Sequence, residues 1–287
     1  MPASAPAMMI HRLRSYEDYV SFKDRAGDII AREMAEVEAA IPPELPEFTI
    51  PGFSYPARRE VAFLVDYGFP GEPGRVSWRE RVVCPVTSFN NRMRGAIHIF
   101  DVEAGLYPDS DVYLTEQVMP MYRYFKEIYR NAIGSEYLGD AIPLGHVDER
   151  GLRNEDLTKL SFPDKSFDAL MSLDVLEHVP NTMKALSECH RVLNPGGRAL
   201  ISAPFNQEEL RNTLRATVEN GEIRHLLEPE YHGDPLSEDG ILSFHDFGWE
   251  ILDQFKEAGF RDAYAVCYFS RAFGYLGEEQ FIFSAIA

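Results

Sequence analysis

Between Asn154 and Ser202 the hydrophobic pattern changes period in a way that suits one kind of layered domain. Phe167-Asp-Ala-Leu-Met-Ser-Leu173 is a short apolar run of the length and composition of a buried strand. An acidic residue, Asp156, precedes it across a short loop, and Asp174 with Leu176-Glu-His178 forms a polar end after it. Met183, Leu186, Val192 and Leu193 then provide the apolar positions of a helix. Asn194-Pro-Gly-Gly197 turns the chain into another strand, Arg198–Ala203. Strand, helix, glycine turn and strand in this order read as the second half of an α/β domain of the nucleotide-binding kind.

Composition narrows the class of partner. The 287 residues carry a formal charge of −18, with 45% apolar and 26% charged residues. That balance buries a full core. The acidic surface argues against nucleic acid and anionic lipid, which ask for a basic face to displace counterions. Pairs such as Arg58-Arg59 read as local ion-pair partners. Three scattered cysteines suit a reducing compartment. The amino terminus lacks a signal-peptide pattern, and no apolar run reaches the roughly 18 residues of a membrane span. A soluble, cytoplasmic protein with no membrane partner is expected.

Residues 1–108 read as an N-terminal extension: a long amphipathic helix from Ser15 to Ala40 stopped by Ile41-Pro42-Pro43, a proline-rich connector, and strand-like pieces at Glu60–Asp66 and Glu80–Cys84. The turn-forming stretch from Gly68 to Gly74 separates those pieces, and a helix is expected over Asn91–Gly105. Cys84-Pro-Val-Thr87 resembles the start of a zinc knuckle, but Thr87 stands where the second cysteine belongs and only His98 is near. No metal is expected. From 109 to 287 the pattern is α/β, with strands at Val112–Glu116, Ala132–Tyr137, Leu152–Leu157, Phe167–Leu173, Arg198–Ala203, Ala263–Phe269 and Gln280–Ile286. Helices are expected at Met119–Tyr129 and Phe247–Ala258, the latter closed by Gly259, with His245-Asp246 as its cap. Residues of about 206–244 form an insertion. The sequence leaves the oligomeric state open; the N-terminal helix offers a homodimer surface.

The series Phe167-Asp168, Leu176-Glu-His-Val179 and Leu193-Asn-Pro-Gly-Gly197 resembles the class I S-adenosylmethionine-dependent methyltransferases, in particular the type 11-like branch. The resemblance implies a doubly wound, seven-stranded, mostly parallel Rossmann-like sheet of order 3-2-1-4-5-7-6, with an antiparallel last strand. It also implies S-adenosylmethionine as cofactor, S-adenosylhomocysteine as product and a small-molecule acceptor. Ligands of such sheets lie at the carboxyl ends of the strands. Glu116 and Gln117 then fall at the methionine end, Glu136 with Tyr137 at the ribose, Asp156 with Leu157 at the adenine, and Asp174 beside the sulfur. Ionised carboxylates accept only, which suits vicinal hydroxyls and an exocyclic amine. His232, framed by Gly233 and Asp234-Pro235 in an insertion that implies a lid, and His178 are the candidates to take the acceptor proton.

The first loop departs from that family. Where strand, acid and Gly-x-Gly-x-Gly are expected, the chain reads Thr115-Glu-Gln-Val-Met-Pro120, with no glycine to admit a ligand close to the backbone. Three outcomes stay open: a rebuilt loop that binds the cofactor, a different adenosyl ligand, or a non-catalytic scaffold. Two of the carboxylates also have a plainer reading, Asp156 as a helix or turn cap and Glu116 as an ion-pair partner.

Overall fold

The computed structural model describes residues 7–41, 46–68 and 74–287, apart from the Asp234 side chain. The expected stop at Pro42-Pro43 and most of the turn from Gly68 to Gly74 lie outside the described residues. Two compact units are present. One holds the chain up to Leu13, Glu17–Val102 and Val266–Phe281, and the other Arg14–Tyr16, Glu103–Ala265 and Ile282–Ala287. The expected division at residue 108 differs from this at one place above all, because Val266–Phe281 belongs with the first unit.

In the first unit the long helix runs from Tyr16 to Ala39, and the side chains it buries, Tyr19, Phe22, Ala26, Ile30, Met34 and Val37, recur every three or four residues. Glu47–Ser54 pairs antiparallel with Arg59–Asp66, which pairs in turn with Val82–Val83. The first of these lies within the segment expected from its prolines to be a connector. Pro51 is accommodated because this strand lies at the edge of its three-stranded sheet, where a missing ladder donor costs little. Asn91–Ala104 is helical, as expected.

The central sheet has seven strands, here numbered in chain order: β1 (Met9–Leu13), β2 (Val112–Leu114), β3 (Ile133–Gly134), β4 (Phe167–Leu173), β5 (Leu193–Ser202), β6 (Asp262–Ser270) and β7 (Tyr275–Ile286). Their order is β1-β6-β7-β5-β4-β2-β3. β2 pairs parallel with β3 and β4, β4 parallel with β5, and Phe283–Ile286 of β7 antiparallel with Arg198–Ile201 of β5. The sheet is therefore the Rossmann-like, mostly parallel α/β sheet expected of the methyltransferase fold. One strand is reduced. Leu152–Leu157 forms no strand, and a single parallel bridge from Asn154 to Glu136 holds the place of the family's third. The bridging Asn154 is fully buried; its Nδ2 donates to the carbonyls of Gly139 and Ile142 while Oδ1 accepts from the Leu138 amide. Asn154 thus fastens a loop rather than extending a ladder.

The Pro-Gly-Gly turn lies inside β5 as a bulge, with a register shift against β4. Gly196 sits at φ +83°, and a Cβ on Gly197 would lie 2.8 Å from the Asn194 carbonyl oxygen. Helices cover Pro120–Ile128, Thr182–Val192 and Ile251–Glu257. His245-Asp246 does not cap the last of these; it pairs as a short strand with Thr213–Leu214, and Glu250 holds the cap position. The insertion carries two hairpins, Ala216–Glu219 with Glu222–His225 and Tyr231–Asp234 with Ser237–Leu242.

Candidate functional site

The loop after β2 is closed by side chains instead of being opened by glycines. Glu136 Oε1 accepts from the amides of Gln117 at 2.6 Å and Val118 at 2.8 Å. The Gln117 side chain donates to the Gly151 carbonyl at 3.0 Å and accepts from the Arg153 amide at 2.8 Å. The glycine that permits close approach stands on β3. A Cβ on Gly134 would lie 2.7 Å from the Tyr122 ring and 3.1 Å from the Glu116 carbonyl oxygen. Glu116 itself is half-buried at the end of β2. Two of the expected cofactor residues, Gln117 and Glu136, are thus joined to each other.

Asp156 and Leu157 lie beyond, in the segment anchored by Asn154. Asp156 Oδ1 accepts from the Thr158 amide at 2.7 Å and its hydroxyl at 2.8 Å, so the turn-cap reading holds for that oxygen. Among the described residues, Oδ2 and the neighbouring Leu157 amide have no hydrogen-bond partner. An open acceptor therefore stands next to an open donor. Tyr137 is 60% exposed, and partial burial followed by the charges of Asp140 and Asp156 raises its phenol pKa.

At the end of β4, Asp174 takes a left-handed backbone, φ +52°, uncommon for a residue with a side chain. Its amide donates to the Ser202 carbonyl at 2.9 Å and its Oδ1 accepts from the Ser202 hydroxyl at 2.8 Å. These bonds fix the chain where β4 gives way to the Leu176–His178 turn.

That turn meets the second hairpin of the insertion. His178 Nδ1 donates to the Leu242 carbonyl at 2.9 Å, and the rings of His178 and His232 stand edge to face with centroids 5.0 Å apart. Glu177, fully buried, lies beneath both, with Oε1 3.6 Å from His178 Nε2 and 3.5 Å from His232 Nδ1. The Glu177 carboxylate raises the His232 pKa, burial opposes it, and Glu230 adds to the rise. The two histidines singled out in the sequence are together. Glu230 was missed, yet Glu230 and His232 are two apart on one strand path and so share a face, a signal available in the sequence.

Cys84 and His98 do not meet as a pair. Cys84 is a buried free thiol, and His98 stacks on Tyr55 with Nδ1 3.1 Å from the Tyr275 hydroxyl. Among the described residues no helix is long and apolar enough to cross a membrane.

Residues 116–201 match a methyltransferase domain family. Over 82 residues the chain is 37% identical to a "Probable S-adenosylmethionine-dependent methyltransferase" of Mycolicibacterium smegmatis, covering 27% of this chain and 31% of that one. Over 117 residues it is 32% identical to the sterol 24-C-methyltransferase ERG6A of Gibberella zeae, covering 36% and 29%. It thus spans less than a third of the length of either relative. Among solved structures, DesVI of Streptomyces venezuelae is 15% identical with a TM-score of 0.44, over 70% of this chain and 94% of that one. Residues 116–201, which run from the loop after β2 to β5, thus match a methyltransferase domain, and over that stretch the chain is similar to S-adenosylmethionine-dependent methyltransferases.

Proposed function

We propose that this chain transfers a methyl group from S-adenosylmethionine to a small soluble acceptor. The observation that carries the reading is the open acceptor and donor at Asp156 Oδ2 and the Leu157 amide. A carboxylate oxygen beside an amide suits the amino group and ring nitrogen on one edge of adenine. The residues present fit an adenosyl group at that end. S-adenosylmethionine supplies an electrophilic methyl on a sulfonium, and the rest is the work of this chain's residues. Asp156 and Leu157 hold the base, and Tyr137 stands beside Asp156. Glu136 keeps the loop after β2 in place through the Gln117 and Val118 amides.

At the other end Asp174, His178 and His232 face the acceptor above the buried Glu177, and the insertion serves as its lid. Alignment in a water-poor site is the main contribution to a displacement of this kind. His232 takes the acceptor proton, because the adjacent carboxylate of Glu177 strengthens it as a base. His178 orients it through the edge-to-face ring contact.

A second reading is favoured by one observation, the closure of the first loop by Gln117 and Glu136. It is a relative that has kept the sheet and exchanged methyl transfer for adenosyl binding alone or for another adenosyl reaction. A mass spectrum of small molecules released from freshly purified protein, followed by incubation with methyl-labelled S-adenosylmethionine and a metabolite extract, separates the two. An adenosyl compound and a labelled small product are expected. An adenosyl compound without labelled product supports the second reading, and neither result supports a scaffold.

A further inference from the structure

Beneath the hairpin Tyr231–Asp234/Ser237–Leu242 three electron-pair donors converge. His178 Nδ1 lies 2.9 Å from the Leu242 carbonyl oxygen, so Nδ1 carries the hydrogen and Nε2 presents a lone pair. His232 Nε2 lies 3.2 Å from Glu230 Oε1, so Nε2 carries the hydrogen and Nδ1 presents a lone pair. Both lone pairs face Glu177, at 3.6 Å and 3.5 Å from Oε1, outside hydrogen-bond range. Neither carboxylate oxygen of Glu177 has a hydrogen-bond partner, although the residue is 0% exposed. A buried carboxylate of this kind is costly unless a cation accompanies it.

The spacing identifies the cation. The three ligand atoms lie within 4.8 Å of one another. Around a tetrahedral ion with bonds of about 2.0–2.1 Å, neighbouring donor atoms stand about 3.3–3.4 Å apart, close to the two distances found. Two imidazole nitrogens and one carboxylate oxygen suit a first-row transition metal, whereas magnesium and calcium ask for six or more oxygens. The Leu242 carbonyl and Glu230 are the outer partners that fix each imidazole's tautomer at metal sites.

We propose that Glu177, His178 and His232 are the ligands of one divalent first-row transition-metal ion. The ion joins the insertion hairpin to the turn after β4, and three protein ligands leave a coordination position open. In the metal-bound protein the imidazoles are ligands, and an acceptor hydroxyl or amine at the open position loses its proton to solvent more readily. In the metal-free protein His232 remains the base. That catalytic use rests on the methyl-transfer reading; metal binding does not. The expectation of no metal concerned Cys84, Thr87 and His98, not these three residues.

The test uses the full chain, stripped with a chelator and dialysed. Co²⁺ is titrated and followed by visible absorption, and Zn²⁺ by calorimetry. One equivalent of Co²⁺ with a tetrahedral visible spectrum, displaced by Zn²⁺, is expected. Glu230→Ala, on the surface, lowers Zn²⁺ affinity by roughly 10–100-fold as an outer partner, and His232→Ala lowers it further. No binding at millimolar metal, or equal affinity in wild type and both variants, overturns the assignment. Binding of S-adenosylhomocysteine is measured on the same stripped samples. Its absence strikes the methyl-transfer reading and leaves the metal assignment standing.

Discussion

Glu136 is the residue at which loop architecture and ligand binding are most easily separated. Its Oε1 accepts two amides of the loop after β2, at 2.6 Å and 2.8 Å, and so restrains a loop that has no glycine. Hydrogen bonds to a charged partner contribute about 1.5–3 kcal/mol each, and half-burial places these two near the lower figure. Glu136→Ala should therefore destabilise the ligand-free protein by about 3 kcal/mol, or roughly 6–12 °C in midpoint for a domain of this size. Glu136→Gln keeps an oxygen acceptor and loses only the charge, so its loss should be about 1 kcal/mol. Calorimetric melting without ligand reads both values, and an unchanged denaturant slope confirms that the unfolded state is the same. A Glu136→Ala midpoint within about 1 °C of wild type would refute the reasoning, because the loop amides would then not depend on that carboxylate.

Gln117→Gly removes the side-chain bonds to Gly151 and Arg153 and frees the backbone; a loss of about 2 kcal/mol in a still-folded protein is expected, with tighter binding of S-adenosylhomocysteine. Weaker binding on titration would mean that the loop is built around its ligand. Burial, then the charge of Arg58, lowers the His98 pKa to about 4. The unfolded chain, near 6.5, therefore binds this proton first, so stability is complete above about pH 6.5 and falls by about 3 kcal/mol as pH drops towards about 4. Urea midpoints of wild type and His98→Gln should diverge across that window, and parallel profiles would contradict it.

The alternation of buried strands and amphipathic helices was legible because it is periodic. β4, β5 and the helix Thr182–Val192 are each specified by their own apolar spacing. The third strand was not legible as a loop, since Leu152–Leu157 has strand-like composition, yet its pairing with the sheet is a single bridge from Asn154 to Glu136, and the Asn154 side chain is bonded to residues 138–142. The edge strand Glu47–Ser54 was hidden for the opposite reason: Pro51 argues against a ladder, and the edge position makes it harmless. The site divided in the same manner. Glu136 and Asp174 follow from strand ends, as does the meeting of His178 with His232 from the position of the insertion. The Gln117 bridge and the bare Glu177 carboxylate depend on distances that no spacing along the chain encodes.

The central claim is that a class I cofactor site survives around Asp156 and Leu157 without the glycine loop. Its most direct test is a calorimetric titration of the full chain with S-adenosylhomocysteine, repeated with Asp156→Ala. Wild type should bind at a single saturable site, and the variant should bind more weakly by roughly 1–3 kcal/mol, the cost of leaving a polar partner unpaired. Its ligand-free melting should move only by the loss of the Thr158 turn bonds. No heat at millimolar ligand, or equal affinity in the two proteins, would contradict the account.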